Sequence, residues 1–342
     1  MMMRVSIIVP CRNERRYIGA CLDSIVATHY PHDRLELIIV DGRSDDGTRE
    51  IVQQYVRRYA WMRLLDNPSR IVPTAMNRGI LAAGGDIIAR MDAHVIYPPD
   101  YLPRLVAALA SSDADNVGGR LITLSASNRP VARAIAAALA HPLGVGNAQF
   151  RLDSRTPREV DTVPFGCYRR EVFSRIGLFD EELVRNQDDE FNHRLLRQGG
   201  RILLVPDVVA YYYARDSLAH LARMYYQYGY YKPRVSYKVG TVMTVRQLVP
   251  AAFAVTLVAL AALAVIWPPA GLAALAIAGI YTASVLACSI AQLRKLGLRS
   301  AAALACAFPV LHGSYGFGFL RGVQHLVLGR RPPPAAAVPL SR

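Results

Sequence analysis

The N-terminal part of the chain alternates short apolar runs with polar loops and segments of helical spacing. Four apolar runs predict β-strands at residues 5–10, 35–40, 62–65 and 86–91. Apolar positions at helical spacing follow the first three runs and predict helices at residues 17–27, 49–59 and 71–83. Strands and helices that alternate in this way are typical of an α/β fold with a doubly wound, mostly parallel sheet.

The middle of the chain continues this pattern with less regular spacing. We expect a helix at residues 99–110, a strand at 116–124, an Ala-rich helix at 131–139 and a loop at 144–157. A further helix should begin near Asn186 and end at Gly199 and Gly200. Two short strands at residues 201–205 and 208–213 should then complete the sheet.

Three apolar runs near the C-terminus contain no charged residue, at residues 248–266, 270–293 and 301–320. About 20 apolar residues suffice to span the hydrocarbon core of a membrane, so each run is long enough to cross it. The sequence therefore predicts a C-terminal membrane region.

The basic residues around these runs predict their topology. Arg294, Lys295 and Arg299 lie between the second and third runs, and the positive-inside rule places that loop in the cytosol. A full crossing by the third run would carry Arg330 and Arg331 to the opposite side. We therefore expect the third run to be a re-entrant or interfacial segment.

Charge is distributed unevenly along the chain, which has a formal net charge of +14. The 126 residues after Asp216 carry 12 Lys or Arg and no acidic residue, whereas residues 1–216 carry 28 basic and 26 acidic residues. A nucleic-acid-binding protein normally displays such charge on a polar folded surface. Here the basic residues flank apolar runs, which indicates contact with anionic membrane lipids and no nucleic-acid partner.

The candidate chemistry begins where the fourth predicted strand ends. Asp92 directly follows the apolar run, and His94 lies two residues later. Open α/β sheets bind ligands in the crevice at the carboxyl ends of their strands. A carboxylate and an imidazole suit Mg²⁺ or Mn²⁺ shared with substrate phosphates, although a solvated strand end would also accommodate them. Arg90 is interpreted as a solvated strand residue.

Five segments together resemble a known enzyme family. They are VSIIVPCRNE at residues 5–14, IVDGRSDDGT at 39–48, NRGILAAGGD at 77–86, DAH at 92–94 and NQDDEF at 186–191. In order and spacing, over roughly residues 3–235, they resemble the inverting family-2 glycosyltransferases of the GT-A fold. Within that family the chain resembles the succinoglycan-biosynthesis glucosyltransferases of the ExoA type, which also carry C-terminal apolar segments.

The resemblance implies roles for individual residues. A nucleotide-diphosphate sugar, most simply a UDP-sugar, would be bound by Pro10, Glu14, Asp41, Asp66, Arg70 and Asp92. Asp92 and His94 would hold the divalent metal. Two alternatives remain open, because Asp41 could cap the helix after Gly42 and Glu14 could be a first-turn carboxylate that interacts with the helix dipole.

The acidic block at residues 187–190 would supply the base that deprotonates the acceptor hydroxyl. Gln187 stands where the family usually has the first residue of a Glu-Asp pair, so Asp188 is the best match for the base and Asp189 is the alternative. Acidic residues that only cap a helix would give the same pattern. The Gln-x-x-Arg-Trp block of processive synthases is absent, which favours the transfer of a single sugar.

These observations predict a metal-dependent, inverting hexosyltransferase that acts on a polyprenyl-linked or other lipid-linked saccharide in exopolysaccharide or cell-envelope synthesis. The alternatives are a polyprenyl-phosphate sugar synthase and a non-catalytic sugar-nucleotide-binding subunit of an envelope complex. The expected domains are a GT-A domain at residues 1–235, a basic interfacial linker at 236–247, a membrane region at 248–322 and a basic, Pro-rich tail at 323–342. We expect a multi-pass protein of the inner (cell) membrane with a cytoplasmic catalytic domain.

Overall fold

A computed structural model of the chain describes residues 2–152, 156–241 and 247–330. These residues divide into two compact units. The first contains residues 2–122 and 149–212, and the second contains residues 123–148 and 213–330. Residues 242–246 of the predicted linker and residues 331–342 of the predicted tail lie outside the described residues.

The strands and helices of the described residues follow one another in an α/β order. The strands are β1 Val5–Cys11, β2 Leu35–Asp41, β3 Met62–Asp66, β4 Ile87–Arg90, β5 Val95–Ile96, β6 Asn116–Leu124, β7 Arg158–Glu159, β8 Cys167–Arg169 and β9 Ile202–Tyr213. The helices are α1 Ile18–Val26, α2 Thr48–Arg58, α3 Val72–Ala82, α4 Tyr101–Ala110, α5 Pro130–Leu139, α6 Pro142–Val145, α7 Glu171–Ile176, α8 Gln187–Arg197, α9 Leu218–Val239, α10 Val249–Leu263, α11 Pro268–Ala291, α12 Leu293–Leu296 and α13 Leu298–Val327.

The first four strands and three helices confirm the predicted alternation to within about one residue at each end. β1 lies between β2 and β4 and is parallel to both, and β3 is parallel to β2. In the sheet order β3-β2-β1-β4, β2 and β3 are therefore added on one side of β1, whereas β4 is added on its other side. Such a reversal of the strand order opens a crevice at the carboxyl ends of the strands, and this is where open α/β sheets bind ligands.

The second half of the sheet is antiparallel, so the whole sheet is mixed. β8 pairs antiparallel with both β4 and β6. β9 is a single strand of 12 residues that continues through Pro206, whereas the sequence predicted two strands. Leu203 and Leu204 of β9 pair with β7, and Tyr211 and Tyr212 of β9 pair with β5. Pro206 has no N–H to donate, and it lies between these two ladders.

The segment predicted as a loop at residues 144–157 also differs from expectation. It contains the end of α6 and a short 3-10 helix at Gln149–Arg151, while residues 153–155 lie outside the described part. The predicted helix after Asn186 is confirmed as α8.

Aromatic packing in the first unit holds the start of α8 against the sheet. Phe191 of α8 is fully buried and stacks on Phe179 with ring centroids 4.4 Å apart. Tyr168 of β8 lies edge-on to Phe191 at 5.5 Å. Buried aromatic side chains contribute large contact areas in specific geometries. The acidic residues at the beginning of α8 are thereby fixed relative to β8 and its neighbour β4.

The second unit is helical and is held together by close backbone approaches. A side chain at Gly229 of α9 would collide with the carbonyl of Tyr315 in α13. Gly318 and Gly322 of α13 face the backbone of α9 in the same way. Small residues at such positions let two helices pack at short distance, as they do in membrane proteins. The Ala-rich helix α5 also belongs to this unit, where it packs against α13.

Two helices of the described residues are long and apolar enough to cross a membrane, α11 and α13. The first predicted run, at residues 248–266, gives the shorter helix α10 of 15 residues, which spans about 22 Å at 1.5 Å per residue. The third run lies within α13, one continuous helix of 30 residues that includes Pro309. Since a re-entrant segment doubles back on itself, the continuous α13 contradicts the re-entrant form of the expectation and is compatible with an interfacial helix or with a full crossing.

Candidate active site

Two aspartates lie side by side at the carboxyl ends of β2 and β3. The parallel register pairs Asp41 with Asp66, and Arg49 from the first turn of α2 bridges them. Its Nη1 lies 3.0 Å from Asp41 Oδ2 and 3.3 Å from Asp66 Oδ1. The site therefore contains an arginine that the sequence analysis did not single out.

Asp41 is fully buried, and other groups of the protein already bond to its carboxylate. Ser44 donates its hydroxyl to Asp41 Oδ1 at 2.5 Å and its backbone N–H to Oδ2 at 3.2 Å.

The helix-cap alternative for Asp41 is wrong, because Asp46 accepts the hydrogen bond from the N–H of Thr48 at 3.0 Å. Burial alone would raise the pKa of Asp46, but bonds from Thr48 and Arg15 outweigh it and lower that pKa.

The loop after β3 is held by Asn67 and carries Arg70. Asn67 is fully buried, and it donates to the carbonyl of Ile71 and accepts from the hydroxyl of Thr74, both at 2.9 Å. Arg70 adopts a left-handed backbone with φ of 61°, which is uncommon for a residue other than glycine. The pKa of Arg12 is lowered, mainly because Arg12 is partly buried and in addition because of the positive charge of Arg70.

The predicted donor residue Pro10 lies buried within β1, paired in register with Val40 of β2. The side chain of Asp66 is 41% exposed and also contacts Arg43, whose Nε lies 3.4 Å from Oδ2. Of the predicted donor residues on β1 to β3, Asp66 thus presents an accessible carboxylate, whereas Asp41 is enclosed.

Asp92 lies just beyond the end of β4 and forms a bidentate pair with Arg90. Arg90 donates from Nε to Asp92 Oδ1 at 2.9 Å and from Nη2 to Oδ2 at 3.2 Å. The backbone N–H of Asp92 donates to the hydroxyl of Tyr97 at 2.7 Å. Arg90 is 8% exposed, so its interpretation as a solvated residue is wrong. Burial alone would lower the pKa of Arg90, but the charges of Asp92 and Asp188 outweigh it and raise that pKa.

His94 contacts Glu14 on the opposite wall of the crevice. His94 Nδ1 lies 3.0 Å from Glu14 Oε1, and its ring is edge-on to Tyr212 at 5.3 Å between centroids. The first-turn alternative for Glu14 is wrong, because α1 begins at Ile18 and has no acidic residue in its first turn. The Glu14 carboxylate therefore lies beside the imidazole that follows β4.

The start of α8 brings Asp188 to the same group of charges. Asp188 Oδ2 lies 3.9 Å from Arg90 Nη1, and its side chain is 42% exposed. Asp188 also accepts a hydrogen bond from the N–H of Asp189 at 3.0 Å. Consecutive helical residues point about 100° apart, so Asp188 and Asp189 face different directions.

The donor set at the tip of β4 fits a metal that takes its remaining ligands from substrate. Within residues 2–152, 156–241 and 247–330 no three His, Cys, Asp or Glu side chains converge as a metal site. Mg²⁺ commonly uses one or two carboxylates together with substrate phosphates. The side chains of Asp92 and His94 are 17% and 14% exposed, and each carboxylate oxygen has a second lone pair beyond the bond from Arg90.

Arg49 and Tyr212 were missed from sequence, and Arg90 was misinterpreted as solvated although it had a usable signal. Arg90 lies two residues before Asp92, and side chains at that spacing share one face of a strand. Arg49 and Tyr212 had no local signal, because Arg49 is placed by the start of α2 and Tyr212 by the pairing of β5 with β9.

Comparison with known proteins gives concordant matches. The family model described as Glycosyl transferase family 2 matches residues 6–177. The succinoglycan biosynthesis protein ExoA of Rhizobium meliloti is 33% identical over 250 residues, which cover 72% of this chain and 74% of that protein. A dolichyl N-acetyl-alpha-D-glucosaminyl phosphate 3-beta-D-2,3-diacetamido-2,3-dideoxy-beta-D-glucuronosyltransferase of Methanococcus voltae is 27% identical over 234 residues, covering 66% of this chain and 71% of that protein.

A solved structure supports the fold. The mannosyltransferase PcManGT from Pyrobaculum calidifontis, in complex with GDP-Man and Mn²⁺, aligns with a TM-score of 0.61 at 21% identity. The alignment covers 94% of this chain and 88% of that one. Together with the family match, this similarity confirms the predicted GT-A fold.

Proposed function

The chain belongs to family 2 of the glycosyl transferases, and from that premise we propose that it moves one hexose, with inversion, from a nucleotide sugar to a lipid-linked saccharide. The product would enter an exopolysaccharide or another cell-envelope glycan. The name of the R. meliloti relative refers to succinoglycan biosynthesis, and that of the M. voltae relative to a dolichyl-linked sugar phosphate. Both names support a saccharide acceptor carried by a lipid.

The observation that carries the proposal is the convergence of two carboxylates at the switch point of the sheet. Asp92 from the tip of β4 and Asp188 from the start of α8 meet on either side of Arg90. The proposed transfer needs one group to hold a cation that would neutralise the departing diphosphate and another to accept the proton of the incoming hydroxyl. Two carboxylates from different elements supply these two functions in one crevice.

The proposed reaction is a single displacement. The acceptor oxygen forms a bond to the anomeric carbon of the donor while the bond from that carbon to the diphosphate breaks. The hydroxyl proton goes to the Asp188 carboxylate, and the electron pair of the broken bond leaves with the nucleoside diphosphate. An acceptor that attacks from the face opposite the departing diphosphate would invert the anomeric configuration.

Asp92 and His94 would hold the divalent metal, Mg²⁺ or Mn²⁺. When bound, such an ion neutralises the charge that develops on the departing phosphate. The protein's part is to orient the two ligands: Arg90 fixes the Asp92 carboxylate, and Glu14 holds the imidazole of His94. Groups behind metal ligands typically set ligand orientation in this way.

The donor nucleotide, a UDP-sugar in this proposal, would lie along the ends of β1, β2 and β3. Asp66 and Arg70 lie on the loop that follows β3, and the Asp66 carboxylate is accessible. Asp41 is saturated by Ser44 and Arg49. Its proposed contribution to nucleotide binding therefore passes through Arg49, which it holds in place.

We also propose that the protein is anchored in the inner (cell) membrane with its catalytic domain in the cytoplasm. The domain at residues 1–235 would be followed by a linker at 236–247, a membrane region at 248–322 and a tail at 323–342. The helices α11 and α13 support the anchor by length and composition. If α10 and α11 both cross the membrane, the basic residues between α11 and α13 lie on the same side as the catalytic domain, and the positive-inside rule makes that side the cytoplasm.

A transfer assay tests the function. Detergent-solubilised protein is incubated with radiolabelled nucleotide sugars and membrane lipid extract, with and without Mn²⁺. We expect label from one donor to enter the lipid-linked saccharide fraction. Label on polyprenyl phosphate itself would show the alternative sugar synthase. Nucleotide binding without transfer from any donor would show the alternative non-catalytic subunit.

A further inference from the structure

Arg90 is a buried cation between the two carboxylates of the proposed reaction. Its side chain is 9% exposed, and its guanidinium contacts both Asp92 and Asp188. We propose that Arg90 is a positioning residue, which holds the Asp92 carboxylate in one plane and sets its separation from Asp188. This inference rests on the proposed function.

The contact with Asp92 has the geometry that fixes orientation. Nε and Nη2 of Arg90 each donate to a different oxygen of Asp92, at 2.9 and 3.2 Å. Two parallel bonds from a planar guanidinium prevent the carboxylate from rotating, whereas a lysine ammonium would act as a point charge. The orientation of Asp92 is thus determined before substrate binds.

The contact with Asp188 ties this carboxylate to a different element. Arg90 Nη1 lies 3.9 Å from Asp188 Oδ2, which is an ionic contact rather than a hydrogen bond. Arg90 is itself anchored, since its backbone N–H donates to the carbonyl of Gly166 at 3.0 Å. The tip of β4 and the start of α8 are therefore linked through one side chain.

The burial of Arg90 explains why it contacts both carboxylates. An arginine that is 8% exposed loses most of its hydration and is tolerated when nearby carboxylates compensate its charge. Asp92 and Asp188 provide that compensation, and each would repel the other without a cation between them. The arginine thus lets two ionised carboxylates occupy one crevice at a defined separation.

The test compares Arg90→Met with Arg90→Lys in the transfer assay. We expect Arg90→Met to lower kcat by about tenfold to a hundredfold while the donor KM and the calorimetric Kd for UDP change less than about threefold. The affinity for Mn²⁺ in the presence of UDP, measured by electron paramagnetic resonance, should weaken by about tenfold or more because Asp92 loses its fixed orientation, so kcat and KM are measured at saturating Mn²⁺. Arg90→Lys restores the charge without the two-pronged geometry and should recover part of kcat.

Arg169→Met is the matched control. Arg169 lies on the adjacent strand β8 and donates to the carbonyls of Leu109, Ser112 and Ala114 at 2.6 to 3.0 Å. Its loss removes a partly buried arginine without touching the candidate site, so it should lower the melting temperature and leave kcat of the folded protein unchanged. A lower melting temperature with an unchanged kcat of the folded protein in Arg90→Met, as expected for Arg169→Met, would make Arg90 merely structural and overturn the proposal.

A double-mutant cycle with Asp188→Asn completes the design. If Arg90 acts through Asp188, Arg90→Met should lower kcat less in the Asp188→Asn background than in the wild type. The melting temperatures of the four proteins should be non-additive as well, which tests the coupling without turnover. Additive effects in both readouts would overturn the proposal. Absence of turnover in the wild type with every donor would instead overturn the proposed function.

Discussion

Replacing Asp188 by Asn should stop turnover while the donor site remains intact. Asn has nearly the same size as Asp but cannot accept the proton of the acceptor hydroxyl. A positioned general base typically contributes 10²- to 10⁴-fold, so we expect kcat to fall at least about a hundredfold, or about 2.7 kcal/mol in the activation barrier. The perturbation removes one proton acceptor and little else.

The structure explains why Asp188→Asn should remain folded. The Asp188 side chain is 42% exposed, so replacing the carboxylate does not bury an unpaired group. An Asn oxygen can still accept the hydrogen bond that the N–H of Asp189 donates at 3.0 Å. The ionic contact with Arg90 is lost, but Arg90 keeps its two bonds to Asp92. Donor affinity should therefore stay within about threefold, far less than the loss of rate.

Asp189→Asn is the control because it neutralises the adjacent position of α8. Asp189 lies in the first turn of the helix, where a carboxylate interacts with the helix dipole by about 0.3 to 1 kcal/mol. This variant should lose some stability and keep its turnover within about threefold of wild type if Asp188 is the base.

The assay measures turnover of folded protein at saturating donor, with nucleotide binding followed by calorimetry. Loss of activity in Asp189→Asn with activity kept in Asp188→Asn would show that the base lies one residue further along α8. Full activity in both variants would refute the assignment of the base to this helix.

The remaining predictions concern the metal, a helix contact and a loop. EDTA should abolish transfer and Asp92→Ala should lower it by well over tenfold, whereas full activity in EDTA would remove the metal role. Gly229→Ala should destabilise the protein by about 1 to 3 kcal/mol through overpacking against Tyr315, while Gly313→Ala, with open space around it, serves as its thermal-unfolding control. Asp46→Asn should lower stability at neutral pH by about 0.3 to 1 kcal/mol, because it removes a negative charge beside the N-terminus of α2. Because the folded-state pKa of Asp46 is lowered, its contribution is present above its ordinary pKa near 3.8 and lost as pH falls through the folded value, so wild type and variant should converge in denaturant titrations at acid pH.

The N-terminal half of the sheet was predictable because its strands end where apolar runs meet polar residues. β2 extends by one residue to Asp41, and β3 extends by one residue to Asp66. The chain order of these strands also predicted that their carboxyl ends would meet. In this region the local apolar pattern agrees with the observed sheet, so the prediction of these strands needed little information about tertiary contacts.

The antiparallel half was less predictable because tertiary pairing overrides the local signals there. Pro206 reads locally as a strand breaker, yet β9 continues through it because the ladders with β7 and β5 lie on either side along the strand. The burial of Arg90 was missed for a related reason. Its carboxylate partner Asp188 lies 98 positions further along the chain, and sequence spacing carries no information about that contact.

The pairing of charges in the crevice bears on how a donor would enter it. Asp41 is paired with Arg49, whereas Asp92 and Asp188 share the single positive charge of Arg90, which leaves one negative charge uncompensated. A nucleotide sugar brings about two negative charges on its diphosphate, and a divalent ion brings two positive ones. If they bind jointly, they add no net charge and these ion pairs need not separate. The diphosphate alone would face Asp92 and Asp188, while the ion alone would face Arg90 and find too few protein ligands for a closed site. Under the proposed function, this arrangement of side chains would favour joint binding of metal and nucleotide over binding of either one alone.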